Sequence, residues 1–407
     1  MIFPASQWTR PTVSTDETVI ETTRRILADI AERGDEAISE YSRKFDGFKP
    51  QPIELKPFAE YAIAPELAEH MQIAAQRIRR FAEFQMAGYQ NASFSDEFGE
   101  YGQVVQPVEA MAAYIPGGRF PLLSTAMMTL IPAQVAGCQT RLAVSPTVNE
   151  VVLAAASLSG ATAFLRMGGA QAIAALAYGC QLTPAVDMVV GPGNAYVNAA
   201  KGLLQDRVRI DTLAGPSELL ILSDGSTPLD WLLYDMLAQS EHDPRAVSVL
   251  VSRSQTELEA MLARLEATDE GRDQLTRGQI QLVFAETVDE AIATCNLMAP
   301  EHLLLCDEAI AAERLLHYGS LFVGKYSAVA LGDYCSGPNH TLPTNAFARK
   351  KAGLYVGDFL RVQSYQKITE ANFETIARTG MALAEAEGLT NHWKSLDIRV
   401  QGSGFRV

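Results

Sequence analysis

From about residue 110 onward, short apolar runs alternate with Ala-rich stretches, and no other feature of this chain constrains its fold as much. "LAVSP", "AFLRMGG", "MVVGPGN" and "SELLILSD" read as strands, while "STAMMTLIPAQVAG", "AQAIAALAYG" and "AYVNAAKGLL" read as helices. Strand and helix in alternation imply a parallel sheet covered by helices. The pattern then resumes with different punctuation. "VSVLVSR", "IQLVFAE" and "GSLFVG" are strand-like, and "TVDEAIATCNLM" opens a helix with a capping box of Thr287 and Glu290. At 407 residues the chain exceeds one ordinary core. The expectation is two α/β units with helical or irregular ends.

Residues 16 to 90 read as helical. Ile26, Leu27 and Ile30 carry helical spacing, Gly34 is placed to end that helix, and "PELAEHMQIAAQRIRRFAEF" forms another. The tail from about 345 is mixed and ends in "EANFETIARTGMALAEAE", stopped by Gly388. A hydrophobic content of 48% and a charged content of 20% are those of a soluble globular protein. No apolar run approaches the roughly 20 residues of a membrane span, and no secretory signal pattern is visible at the start. The net charge of −15 argues against nucleic acid or an anionic membrane surface as partner. Five scattered cysteines without a CxxC pair give no disulfide framework or zinc knuckle, and fit a reducing cytoplasm.

The chemistry-bearing residues sit in punctuation. In "MAPEHLLL", Glu301 and His302 stand directly before an apolar strand-like run, where charged groups are rarely taken without a partner or a task. In "STPLDWLLYDMLAQSEHDPRA", Thr227 and Pro228 read as cap and first turn, and Asp243-Pro244 as the stop. Gln239 and His242 are then i and i+3 on one face. They can reach one metal ion, or simply be a surface Gln and a His satisfying the helix dipole. "GDYCSGPNH" is a Gly-bounded loop carrying Asp333, Asn339 and His340, which alone reads as an Asx-type turn. Glu387 and His392 flank the Gly388 stop. Together these segments supply Gln, His, Asp and His, enough N and O donors for one Zn²⁺, although spacing does not bring them together. "YIPGGR", "MGGAQA" and "VGPGNAY" are turns where backbone can approach a ligand. None is the GxGxxG fingerprint, and no GxxxxGK[ST] loop is present.

Taken in order, "RGDEAISEYSRKFDG", "AAYIPGG", "GGAQAIAALAYG", "VGPGNAYVNAAK", "AGPSELLIL", "LAQSEH", "APEHL", "GDYCSGPNHTLPT" and "EAEGLTNH" resemble the histidinol dehydrogenase family over nearly the whole chain. The resemblance implies an α/β fold with two Rossmann-like parallel-sheet domains, a helical N-terminal and a mixed C-terminal extension. It divides the chain into an N-terminal arm (1–18), a discontinuous first domain (19–113 with 219–345), a second, NAD-binding domain (114–218), and an extension (346–407) that reaches the partner's active site. It implies a cytoplasmic homodimer with shared active sites, one Zn²⁺ per site and NAD as hydride acceptor. The implied reaction takes an amino alcohol, L-histidinol, through the aldehyde to L-histidine. By motif, the metal ligands would be Gln239, His242, Asp333 and, from the partner subunit, His392. Substrate contacts would be Ser217, His340 and Glu387, and NAD contacts Tyr114, Gln171 and Asn194. His302 would be the base that takes the hydroxyl proton, and Glu301 would activate the water that hydrates the aldehyde.

The chain also departs from the family pattern. The segment before "ETTRR" is shorter than usual. Arg119 follows "YIPGG" where a small or uncharged residue is more common, and "RKKAGLYVGDFLRVQSYQ" differs as well. The last two features are similar to a paralogous branch that oxidises sulfopropanediol, 2,3-dihydroxypropane-1-sulfonate, with the same machinery. A guanidinium suits a sulfonate, whereas an amino alcohol wants metal and carboxylate. A catalytically silent binding protein on this fold has no need of Glu301, His302 and a ligand set.

Overall fold

The computed structural model describes residues 1–11, 16–117, 122–213, 215–241 and 243–402. They form two compact units, Met1–Met86 with Val108–Phe359 and Ala87–Pro107 with Leu360–Val407. In chain order the elements are β1 (Ile2–Pro4), α1 (Glu17–Arg33), α2 (Asp35–Phe45), β2 (Gln51–Ile53), α3 (Pro65–Met86), β3 (Ala92–Ser95), β4 (Gly99–Pro107) and β5 (Ala110–Tyr114). There follow α4 (Leu123–Ala136), β6 (Thr140–Ser145), α5 (Glu150–Leu158), β7 (Ala163–Arg166), α6 (Gly169–Tyr178), β8 (Met188–Val190), α7 (Ala195–Leu203) and β9 (Arg209–Ile210). The next run is β10 (Glu218–Ser223), α8 (Leu229–Ser240), β11 (Val247–Ser252), α9 (Gln255–Glu266), α10 (Asp269–Thr276), β12 (Ile280–Phe284) and α11 (Val288–Met298). The chain continues through β13 (His302–Cys306), β14 (Ser320–Val323), α12 (Val329–Tyr334), β15 (Leu360–Ile368), α13 (Phe373–Ala386) and α14 (Thr390–Gly402).

The larger unit holds two six-stranded sheets. The first runs β1-β12-β11-β10-β13-β14, parallel throughout. Its strands read as unbroken apolar runs because both faces are covered. Leu220, Leu222, Leu303 and Leu305 pack with Ala291, Ile292 and Cys295 of α11. On the other face Leu219, Ile221 and Leu304 meet Leu232 and Met236 of α8 and Leu258 and Met261 of α9.

The second sheet runs β2-β7-β6-β5-β8-β9, parallel except at the β2 edge. One face shares a core with α1, α2, α6 and α7. The smaller unit is an antiparallel sheet β15-β4-β3 together with the packed pair α13 and α14. Phe94, Leu383 and Ile398 of that unit are exposed.

Several expectations are corrected. Residues 19–113 do not belong to the first sheet as a block. The apolar faces of α1 and α2 (Ile26, Leu27, Ile30, Ala37, Ile38) are buried on the second sheet, and β5 is one of its central strands. Residues 87–107 pair instead with the C-terminal strand β15. Within the expected N-terminal arm, 1–18, Ile2–Pro4 forms the edge strand beside β12 and Trp8 is buried, donating to Gln281. Pro228 rather than Thr227 is the N-cap of α8. Thr287 caps Glu290 as expected, but Glu290 returns its carboxylate to the Glu286 N–H. Among the described residues no helix is long and apolar enough to cross a membrane.

Leu304 is buried midway along β13 of the first sheet, beneath α8. Leu304→Ala should lower the unfolding free energy by roughly 2–5 kcal/mol, measurable by urea denaturation with an unchanged m-value. A loss below about 0.5 kcal/mol, the level of an ordinary surface substitution, would contradict this placement.

Candidate active site

Helix α11 stops at Ala299, whose φ of 48° is left-handed, and Pro300 turns the chain into β13. Side chains alternate along a strand, so His302 shares a face with Leu304 and Cys306, the face covered by α8. Glu301 and His302 are both buried. The Glu218 N–H donates to Glu301 Oε2 at 2.9 Å, and the Glu218 carbonyl lies 3.2 Å from His302 Nδ1. A carbonyl only accepts, so Nδ1 carries the hydrogen and Nε2 is the nitrogen left to exchange a proton. Nε2 is buried without a hydrogen bond and lies 3.5 Å from Asp333 Oδ1, while Glu301 Oε2 is 3.5 Å from Nδ1. Burial pulls the imidazole pKa down, but the carboxylates of Glu301 and Asp333 outweigh it and raise the value to about 10.

Sequence reasoning missed the support behind this pair. Arg10 donates to Glu218, to the Met298 carbonyl at 2.9 Å and to Asn345 Oδ1 at 3.0 Å, stitching three segments together. Burial pushes the Glu218 carboxyl up to about 7 against the pull of Arg10. The signal was present, for "SELLIL" sets a carboxylate before an apolar run just as "EHLLL" does.

Gln239, on the last turn of α8, is buried, and its Oε1 has no hydrogen-bond partner. Helix α12 packs beside α8. It lies close to β14 because residue 332 is glycine, since a Cβ there would sit 2.5 Å from the Phe322 ring. That approach holds Asp333 against His302. Asp333 therefore lies on a short helix, not in the expected loop. Asp235, one turn before Gln239, accepts from the Val329 N–H that opens α12, and burial raises its pKa to about 6.

His340 Nδ1 lies 2.8 Å from the Asp333 carbonyl, and burial holds this imidazole below its usual value. Asn339 makes the expected turn, accepting from Thr341 N–H, and also donates to the Met128 carbonyl. Ser217 is half-buried at the start of β10. His242 and Arg119 lie outside the described residues. Glu387 and His392 are exposed on the smaller unit. Among the described residues no three His, Cys, Asp or Glu side chains cluster as a metal centre. The chemistry of the set nevertheless fits Zn²⁺: a buried amide oxygen without a partner, a carboxylate, and imidazoles to complete the shell.

A second group gathers at the carboxyl edge of the second sheet, where the strand order departs in opposite directions from β5 and β8. Ligands of open α/β sheets bind at such a switch point. Tyr114 ends β5, is buried, and accepts from the Gly169 N–H at 3.2 Å; burial raises its phenol to about 12. Gln171, in the first turn of α6, donates to Asp46 Oδ2 at 3.0 Å. Asn194 caps α7 by accepting from the Tyr196 and Val197 N–H groups. Gly191, just after β8, rests on Tyr114, since a Cβ there would lie 2.2 Å from the Tyr114 carbonyl oxygen.

A family model described as "Histidinol dehydrogenase" matches residues 9–400. Histidinol dehydrogenase of Thermus thermophilus is 41% identical, over 98% of this chain and 100% of that protein. Its counterpart in Methanosarcina barkeri is 38% identical, over 94% and 92%. The crystal structure of histidinol dehydrogenase from Elizabethkingia anophelis superposes with a TM-score of 0.89 at 31% identity, covering 98% of this chain and 97% of that one.

Asp235 generates a pH dependence. Its folded pKa is raised from 3.8 to about 6, so within that window the folded chain keeps a proton the unfolded chain has lost. The group therefore removes stability as pH rises from about 4 to 6. The Tm of Asp235→Asn relative to the parent should climb across this window and level off above it. A constant difference in Tm from pH 4 to 7 would contradict the burial of this carboxyl.

Proposed function

Since the chain belongs to the histidinol dehydrogenase family, NAD-dependent oxidoreductases, we propose that it oxidises L-histidinol through the aldehyde to L-histidine, passing two hydrides to two NAD in turn. The observation that supports this most directly is the buried Glu301–His302 pair fixed by the backbone N–H and carbonyl of one residue, Glu218, beside Asp333.

His302 Nε2 takes the proton of the substrate hydroxyl as hydride leaves the adjacent carbon, the task of a general base. A cation held by Asp333 would offset part of the carboxylate charge that raises the His302 pKa, and so would favour the neutral imidazole a base needs. Glu301 takes a proton from the water that adds to the aldehyde carbonyl. The resulting hydrate carries the second oxygen and yields the second hydride. Gln239, His242, Asp333 and His392 of the partner subunit would hold Zn²⁺, which when bound polarises the substrate oxygen without changing oxidation state. Ser217, His340 and Glu387 contact the amino alcohol, and Tyr114, Gln171 and Asn194 contact NAD.

The exposed Glu387 and His392 of the smaller unit are the groups one copy offers to another in a homodimer with shared sites. A cytoplasmic setting accords with five free cysteines.

Chelation should abolish turnover of L-histidinol, and Zn²⁺ should restore it. Full activity in metal-free protein would remove the metal assignment. His302→Asn should slow alcohol oxidation ~10²–10⁴-fold, whereas Glu301→Gln should weigh more heavily on the aldehyde half-reaction. Equal losses in both halves for both variants would show the roles to be misassigned. In a side-by-side assay, turnover of 2,3-dihydroxypropane-1-sulfonate but not L-histidinol would change the substrate.

A further inference from the structure

At the carboxyl edge of the second sheet, a buried lysine and aspartate are not accounted for by the oxidation chemistry. Lys201 of α7 is fully buried, and Asp211, just past β9, is nearly so. A buried ion pair is by itself weak support for a fold, because desolvation offsets much of the attraction. Its use here is explained by what else the two charges touch. Asp211 Oδ1 accepts from Lys201 Nζ, and Asp211 Oδ2 accepts from the Gly191 N–H at 2.7 Å. Lys201 Nζ donates to the Gly191 carbonyl at 3.0 Å. Both polar groups of one residue are thus bonded to opposite ends of one ion pair.

Gly191 is in the left-handed region, at φ 108°, and lies directly on the Tyr114 carbonyl. The next residues are fastened as well. The Gly193 carbonyl accepts from Asn198 Nδ2 at 3.0 Å, and Asn194 caps α7. A Gly191 peptide free to turn would carry the loop away from Tyr114 and shift Asn194. A donor and an acceptor are needed together at this point, out of water, and Lys201 with Asp211 supplies both.

We propose that Lys201 and Asp211 are positioning residues of the NAD site: they lock the Gly191 peptide so that Tyr114 and Asn194 keep the spacing that NAD requires. This rests on the reading of Tyr114, Gln171 and Asn194 as cofactor contacts. Lys201 itself is too deeply buried to touch the nucleotide.

The test is NAD binding by calorimetry on the full-length protein. Lys201→Met alone leaves Asp211 buried and unpaired, and should reduce the yield of folded protein. Lys201→Met/Asp211→Asn leaves no lone charge, keeps an acceptor for the Gly191 N–H and removes the Nζ donor to its carbonyl. This double variant should fold, bind NAD about tenfold more weakly, a change of about 1.4 kcal/mol, and keep its Kd for L-histidinol. A merely structural pair would lower Tm and leave the NAD Kd unmoved. A folded double variant with unchanged NAD affinity overturns the proposal. If the double variant does not fold, Lys201→Arg, which keeps charge and donor, decides. It should bind NAD within about twofold of the parent, and loss beyond about tenfold overturns the proposal. Asn194→Ala, measured in parallel, separates the two readings. If it too leaves NAD binding unchanged, the assignment of the cofactor site fails; if it weakens binding while the double variant does not, only the role of Lys201 and Asp211 fails.

Discussion

The parallel pairing of β10 with β13 is the constraint on which the candidate site depends. Leu219 is opposite His302 in that register, which places the backbone of Glu218 where its N–H meets Glu301 and its carbonyl meets His302. A slip of one residue would turn His302 to the α11 face and leave Asp333 without its neighbour. Leucine fills both faces of these strands and does not tell one register from the next; the bonds of Glu218 to Glu301 and His302 at the strand ends do. Register in the sheet thus sets the tautomer of the imidazole at its end.

The two sheets use opposite edges. The second presents Tyr114, Gly169 and Asn194 at the carboxyl ends of its strands, where helix N-termini and glycine turns favour a nucleotide. The first presents Glu218, Glu301 and His302 at the amino ends of its strands, an edge with no general affinity for ligands. The charged groups around them come from elsewhere: Arg10 from the N-terminal segment and Asp333 from a six-residue helix. The edge of the second sheet is generic, and that of the first is built from distant segments of the chain.

Legibility in the sequence followed locality. Most strands of the two six-stranded sheets that are buried on two faces announced themselves as apolar runs, though the central β5 did not, and Gly34 and Gly388 marked their helix ends. The fold class and the family followed from such runs and turns. Strands β1, β2 and β4 did not announce themselves, because each is short or half-exposed and acquires its meaning from a partner far along the chain. Within the site, Glu301 and His302 stood out as charge before a core strand. Arg10 did not, since its partner Glu218 is 208 residues away. Lys201 looked like any polar residue on a helix until β9 placed Asp211 beside it. The placement of Asp333 turned on Gly332, whose missing Cβ is informative only once Phe322 is known to lie beneath it.

The connectivity also imposes an order on synthesis. Everything in the second sheet, with α1 and α2, lies between residues 17 and 210, so a ribosome has completed that half while barely starting the first sheet. Strand β1 emerges before that half, yet it must wait for β12, some 280 residues later, before it has anything to pair with. Arg10 waits longer still, for Asn345. Such distant contacts close slowly, and domains tend to fold as they emerge. The half built on the second sheet is therefore a platform in place early, and the surroundings of Glu301 and His302 are assembled late, when Arg10 is clamped to Asn345.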